Sequence, residues 1–327
     1  MSTVTEGSTE PYGEPGEVGS GPIARSPKLV ELMTGQPEQE AGVSLLRSAF
    51  RRMRRNPSAI VGAAIVLAFV IIAVFASVIA PYDPASSQWI NQVTPADVPG
   101  PSAGHALGLD PSGSDELTQL IFGARQSLII GVVATGIGLI VGMLLGTLAG
   151  AFGGWVDTLV MRIVDIMLSI PGLMLAVSVA AVLGRRPISI MIAIAAVQVP
   201  VFARLLRGSM LSQRRQDYVL ASFSLGLRRR TVVMSHVLPN SVGPVIVQAT
   251  LSLATAIIEV AALSYLGLGD PDPAVAEWGR MLVKAQDRLQ TDPQLTLLPG
   301  ACIAVTALGF TLFGEALREA LDPKSRR

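Results

Sequence analysis

The stretch from residue 128 to residue 152 reads LIIGVVATGIGLIVGMLLGTLAGAF and decides the class of the fold. It contains no charged residue, and a helix of this length spans the bilayer hydrocarbon core of about 30 Å. Glycine recurs at every fourth position, which places these residues on one helix face where another backbone can approach closely. The sequence therefore predicts a membrane-spanning helix that packs through Gly138, Gly142, Gly146 and Gly150.

The composition of the whole chain agrees with a membrane protein. Of its 327 residues, 50% are hydrophobic and 15% are charged, and the mean hydropathy is +0.53. Soluble domains carry about 25% charged residues, so an ordinary soluble enzyme is excluded. The net charge of +1 provides no basic field that would attract nucleic acid, and we expect no nucleic-acid partner.

Charge-poor segments recur along the chain and predict an all-α integral membrane protein with six transmembrane helices. The third of these segments contains Pro171-Gly172, where we expect a break in the helix. Only a tight turn with Arg185 and Arg186 separates the third segment from the fourth. The six predicted spans are residues 58–80, 128–152, 163–183, 187–203, 242–262 and 294–313.

The arginines predict the orientation of the chain in the membrane. Residues 43–57 and residues 204–240 are arginine-rich, whereas residues 81–124 carry acids and no lysine or arginine. Because basic loops stay in the cytoplasm, we expect the first two segments there and residues 81–124 outside, as an extracytoplasmic loop. The N-terminus and the tail 323–327 are then both cytoplasmic. The core is predicted as five helices over residues 125–322.

The first 42 residues differ from the rest. They contain seven glutamates against one arginine and one lysine, with few large apolar residues. Such a segment buries too little surface to offset its ordering entropy, so we predict a disordered acidic tail. Residues 43–57 then alternate apolar residues and arginines at helical spacing, which is typical of a basic amphipathic helix on anionic membrane lipid. The alternative is an orientation signal without a helix.

The 204–240 loop is too long for a simple connector. We expect its start to continue the fourth helix and Tyr218–Leu225 to form a second helix that Gly226 ends. A third helical stretch, Thr231–Leu238, precedes Pro239, which rigidifies the return to the membrane. A short helix between two turns forms a projection that fits a groove on a cytoplasmic partner, where the loop's seven arginines favour acidic residues.

This loop resembles the coupling motif of the membrane subunits of bacterial ABC importers. The motif has Glu-Ala-Ala, then a glycine, and later an aliphatic residue before a Leu-Pro pair. Two positions depart from it, because Leu220 replaces the glutamate and His236 the aliphatic residue; Asp217, almost one turn earlier, is our hypothesis for the missing acid. The residues at the matching positions are Leu220, Ala221, Ser222, Gly226, His236, Leu238 and Pro239.

Three segments that flank the loop indicate which group of these membrane subunits the chain resembles. They read HALGLDPSGSDELTQLIFGARQSL from residue 105, EVAALSYLGLGDPDPAVAEWGRML from residue 259, and LLPGACIAVTALGFTLFGEALREALDP from residue 297. In this order they look like the second, C-type permease subunit of the oligopeptide, dipeptide and nickel importers, over about residues 45–323. Ser114 stands where that family usually has arginine.

The resemblance implies a type I ABC importer permease fold in a bacterial plasma membrane. It implies four kinds of partner contact: a second permease subunit in a heterodimer, two cytoplasmic ATPase subunits, an extracytoplasmic substrate-binding protein and the membrane lipid. The 217–239 loop would be the coupling helix region that docks on an ATPase subunit. Substrate identity stays open between peptides, nickel complexes and other small solutes.

We predict no catalytic or metal site in this chain. It lacks the Gly-x-x-x-x-Gly-Lys-Ser/Thr loop that cradles phosphate, so ATP and Mg belong on the partner ATPase subunits. The single cysteine, Cys302, excludes a cysteine metal cluster. His105 and His236 are predicted on opposite sides of the membrane, which excludes a site that uses both.

A few charged residues lie within or near the predicted spans. Glu259 lies near the outer end of the fifth span and either lines the substrate pathway or sits at the membrane interface. Asp157, Arg162 and Asp165 have the spacing of ion pairs within one helix. An ion-gradient-driven secondary transporter and a non-transporting membrane scaffold remain the alternative functions, although the first requires ionisable groups at mid-membrane, which the spans largely lack.

Overall fold

A computed structural model describes residues 51–94, 97–272 and 274–321, and this part of the chain is helical apart from loops and one isolated bridge between Leu109 and Asp115. The predicted tails 1–42 and 323–327 lie outside the described residues, as does most of the predicted 43–57 helix. The main helices are α1 (Pro57–Val74), α2 (Glu116–Phe152), α3 (Gly154–Ser169), α4 (Gly172–Leu183), α5 (Pro187–Gln213), α6 (Asp217–Ser224), α7 (Gly243–Leu263), α8 (Trp278–Ala285) and α9 (Gln294–Leu321).

Five of these helices, α1, α2, α5, α7 and α9, are long and apolar enough to cross a membrane. The predicted all-α membrane fold is therefore confirmed. The predicted break at Pro171-Gly172 is present, because α3 and α4 meet there at an angle of 97° and count as a sixth span only together; α3 begins at Gly154, earlier than the predicted residue 163. Proline forces the preceding residue out of the helical region, and Ile170 is extended with ψ at 131°.

Two predicted boundaries differ in the structure. α2 begins at Glu116, so the predicted 81–124 loop ends earlier than expected. The cause is Asp115, whose Oδ2 accepts a hydrogen bond from the Thr118 backbone nitrogen at 2.8 Å and so starts the helix. The predicted 58–80 span is also interrupted, because α1 ends at Val74 and Phe75 separates it from a short helix, Ala76–Ile79.

The start of α1 and the end of α9 lie side by side at one end of the bundle, where Asn56 Nδ2 donates to Glu319 Oε2 at 3.0 Å. At the opposite end, Trp278 of α8 is fully buried and donates from Nε1 to the Leu120 carbonyl of α2 at 3.1 Å. Phe69 of α1 stacks edge-on against the Trp278 ring at 5.7 Å. Buried residues of α1, α2, α7, α8 and α9 form one apolar core around Trp278.

The segment before α2 packs against the end of the bundle that contains Trp278. His105 Nδ1 lies 2.9 Å from Asp115 Oδ1, and the Lys284 ammonium donates to Asp110 Oδ2 at 2.9 Å. Nearby, Ser264 Oγ donates to Glu277 Oε2 at 2.5 Å, and burial raises the pKa of Glu277 to about 7. These pairs fix α8 and the start of α2 against the end of α7.

Candidate functional site

The α6 helix projects from the end of α5 with one face anchored and the other exposed. Val219 is buried among apolar residues of α5 and of the 229–241 segment, and Ser222 faces the same way. On the other side Leu220 is 60% exposed, Phe223 46% and Leu225 81%. We call the exposed residues Leu220, Ala221, Phe223 and Leu225 the docking patch. Apolar residues gathered in this way on a helix mark an interaction surface.

Gly226 ends α6 in the way that the sequence predicts. The Gly226 nitrogen donates to the Phe223 carbonyl at 2.9 Å, and the Leu227 nitrogen donates to the Ser222 carbonyl at 3.2 Å. This pair of bonds is a Schellman cap, which requires a left-handed residue, and Gly226 has φ of +80°. A β-carbon at Gly226 would meet no atom within 4 Å, so the requirement for glycine there comes from the backbone conformation alone.

Two arginines, one before α6 and one after it, connect the loop to the last turn of α2. Arg214, just after α5, donates to the Gly150 carbonyl at 2.7 Å. Arg229, which begins the return segment, donates to the carbonyls of Ala151 and Phe152 at 2.9 and 3.2 Å. The last carbonyls of a helix lack partners within the helix and favour cations, so these contacts fasten the loop to α2.

The four glycines of α2 form the seam between α2 and α5. A β-carbon at Gly142 would lie 2.6 Å from Phe202 Cβ and 2.8 Å from the Val199 carbonyl. One at Gly146 would lie 2.7 Å from the Ala203 carbonyl. One at Gly138 would lie 3.0 Å from Gln198 Cβ, and one at Gly150 would lie 2.9 Å from Met210 Sδ. The backbones of α2 and α5 therefore approach closely along this seam.

The ion pairs of α3 differ from the prediction. The spacing predicts that Asp157 and Asp165 pair with Arg162 within α3. In the structure both carboxylates pair with arginines of α5 instead. Arg207 Nε and Nη2 bind the Asp157 carboxylate at 2.5 and 2.6 Å, and Arg204 binds Asp165. With Arg214 and Arg229, these pairs use four of the seven loop arginines inside the subunit, which leaves fewer for an acidic partner than expected.

The remaining predicted residues of the loop lie beside the docking patch. Asp217 is exposed in the first turn of α6, where a negative charge is favourable. His236 and Leu238 are half-buried in the return segment, and Pro239 is exposed. Asn240 connects this segment by donating to the His236 carbonyl at 2.8 Å. Glu259 is remote from the loop, near the far end of α7.

Arg214 and Arg229 contact the α2 carbonyls in a way that the sequence does not predict. The loop arginines form one block of positive charge in the sequence, and nothing in their spacing identifies which carbonyls they reach. The one available signal is general: the last carbonyls of α2 favour a cation, but the sequence does not show which arginine reaches them.

Comparisons with known proteins agree with this architecture. The family model of the binding-protein-dependent transport system inner membrane component matches residues 142–327, and that of the N-terminal TM domain of oligopeptide transport permease C matches residues 44–96. A structure of the MetNI methionine ABC transporter in an inward-facing conformation is similar in fold, with a TM-score of 0.51 and 18% identity; the match covers 62% of this chain and 96% of that chain.

Curated relatives are more similar in sequence. The dipeptide transport system permease protein DppC of Alkalihalophilus pseudofirmus is 41% identical, over 90% of this chain and 97% of that protein. The glutathione transport system permease protein GsiD of Pectobacterium atrosepticum is 36% identical, over 85% of this chain and 91% of that protein. The chain therefore belongs to the binding-protein-dependent transport system inner membrane components, as a C-type permease subunit of an ABC importer.

Proposed function

We propose that this subunit forms half of the import pathway for a short peptide or related solute and couples it to ATP hydrolysis through α6. The observation that carries the proposal is the docking patch, an exposed apolar face on a helix whose other face is anchored. A surface of this kind fits a groove on an ATPase subunit. Family membership makes the two alternatives, a secondary transporter and a non-transporting scaffold, poor descriptions of the chain.

The anchors supply the mechanical connection. When the ATPase subunits close on ATP, they displace α6 and with it the loop that Arg214 and Arg229 fasten to α2. Because the glycine seam joins α2 to α5, the displacement reaches both helices and reorients the pathway. An equilibrium between two conformations responds in this way only if the ATPase subunits bind one of them more tightly.

The proposed substrate class, partners and membrane location are based on the relatives of the chain. Their names refer to dipeptide and glutathione transport, which favours short peptides as the substrate class. The partners would be a second permease subunit, two ATPase subunits that hold ATP and Mg, and an extracytoplasmic binding protein. The subunit would lie in the bacterial inner membrane and its lipid, with both termini and α6 in the cytoplasm.

Charging the docking patch tests the proposed contact. We expect Leu220→Asp combined with Phe223→Asp to abolish copurification of the ATPase subunits, because two carboxylates would be buried in an apolar interface. Both side chains are exposed in this subunit, so its folding and its pairing with the second permease should survive. Leu289→Asp is the matched control, since Leu289 is 53% exposed at the other end of the bundle. Normal ATPase recovery with the double variant would contradict the proposal.

The orientation has a separate test. In a Cys302→Ala background, single cysteines replace Gln92 and Arg215, both of which are exposed at opposite ends of the bundle. An impermeant thiol reagent applied to intact cells should label Gln92→Cys, and Arg215→Cys should react only after the cells are opened. The reverse pattern would contradict the proposed orientation.

A further inference from the structure

One face of α7 is polar along most of its length. Gln248, Ser252, Thr255 and Glu259 follow one another at spacings of four, three and four residues. At 100° per residue they fall within roughly 60° of the helix circumference, so they form one narrow stripe. We call these four residues the polar track.

The exposed faces of α2 and α9 carry no polar stripe. On α2, every exposed side chain between Ile129 and Leu148 is apolar, as at Val132 and Leu144. The exposed side chains of α9 from Leu297 to Leu308 are apolar as well. α7 itself exposes Ile246 on the side opposite the track. Faces that contact lipid are apolar, so the polar track is suited to contact with water or solute.

The polar side chains of the track differ in whether they have hydrogen-bond partners. Thr255 Oγ1 donates to the Ser252 carbonyl at 3.0 Å, and Gln248 Nε2 reaches Ser252 Oγ at 3.4 Å. Glu259 is different, since its Oε2 atom is buried and has no hydrogen-bond partner among the described residues. A carboxylate in a membrane helix is costly unless a cation or a polar pathway compensates it.

The track leads from a groove at the α6 end of the bundle. The groove has a volume of about 730 Å³ and lies between α3, α5 and α7, lined by residues that include Leu168, Val201, Gly208 and Ser209. Pro244 also lines it and lies one turn before Gln248 on the same face of α7. Ser252 is buried, and its carbonyl accepts from Gln198 Nε2 of α5 at 3.2 Å. The members of the track that a solute leaving the groove could reach are therefore Gln248, Thr255 and Glu259.

We propose that the polar track lines the translocation pathway and that Glu259 receives a protonated amine of the solute. This rests on the proposed import function and deepens it, because a peptide with a free amino terminus carries that group. Thr255 is exposed on this subunit, so a group of a second permease subunit could also approach the track there. A cation on that subunit is the competing partner for Glu259, and the test separates the two.

The test measures charge selectivity at Thr255 in the reconstituted complex with its partners. Thr255→Cys in a Cys302→Ala background is reacted at pH 8 with two membrane-impermeant methanethiosulfonates, one carrying a trimethylammonium and the other a sulfonate. We expect the cationic reagent to be favoured, and Glu259→Gln to lower the ratio of cationic to anionic rates at least about fivefold, since residues four apart on a helix are neighbours. Leu144→Cys, on the lipid-type face of α2, should not react.

Two results would overturn this assignment. Absence of reaction at both Thr255→Cys and Gln248→Cys would show that the track is not a water-accessible pathway. An unchanged rate ratio in Glu259→Gln would show that Glu259 is neutral or already paired with a cation of the second permease. The labelling needs no ATP hydrolysis, so a complex that shows the charge effect but no substrate-stimulated ATPase activity would contradict the coupling proposal and leave the pathway assignment standing.

Discussion

Replacing Gly142 with leucine is expected to prevent stable folding of the subunit. Even the first atom of the new side chain would lie 2.6 Å from Phe202 Cβ and 2.8 Å from the Val199 carbonyl. Overpacking a core costs about 1–3 kcal/mol, and we expect the upper end because the carbonyl belongs to the backbone of α5 and cannot rotate away. Thermal unfolding in detergent, together with yield of monodisperse protein, measures the effect.

Gly136 provides the matched control in the same helix. A β-carbon there would meet no atom within 4 Å, and Gly136 lies off the seam. Gly136→Leu should fold normally, because leucine has a higher helix propensity than glycine and nothing obstructs it. Equal loss of folded protein from both variants would mean that α2 rejects leucine for reasons unrelated to its contact with α5.

Replacing Gly226 with valine is expected to separate assembly from transport. Valine at φ of +80° is strained by about 1–2 kcal/mol, so the cap opens and α6 loses its fixed direction. No neighbouring atom obstructs the new side chain, and the membrane core should therefore be intact. In the reconstituted complex we expect transport and substrate-stimulated ATPase activity to fall together by about tenfold, since 1.4 kcal/mol corresponds to a factor of ten.

Asparagine is the control at this position, because it tolerates the left-handed conformation better than other residues with a side chain. Gly226→Asn should retain most of the coupling that Gly226→Val loses. Normal transport by the valine variant would mean that the shape of the α6 cap does not matter for coupling.

Local patterns in the sequence predicted much of the fold. The glycine spacing in residues 128–152 indicated a packing face, and the break at Pro171-Gly172 followed from the chemistry of proline. The end of α6 at Gly226 was predicted for the same kind of reason. Each of these features depends on residues within one or two turns, so a single sequence contains the information.

Features that depend on residues far apart in the chain could not be predicted in this way. The glycine face does not reveal that α5 is its partner, and the spacing of Asp157 and Asp165 suggested pairs within α3 when the actual partners are Arg207 and Arg204. The start of α2 at Glu116 was missed because its charged first turn did not resemble a span. Asp115 was the signal for that start, as a residue that favours helix N-caps.

The bend between α3 and α4 has a consequence for the biogenesis of the protein. The two helices contain 16 and 12 residues, so at 1.5 Å per residue they reach about 24 and 18 Å. Neither length crosses a hydrocarbon layer of about 30 Å. During synthesis, neither half can act alone as a stop-transfer segment, and we expect this part of the chain to settle in the bilayer only after α5 has emerged from the ribosome to pack beside it.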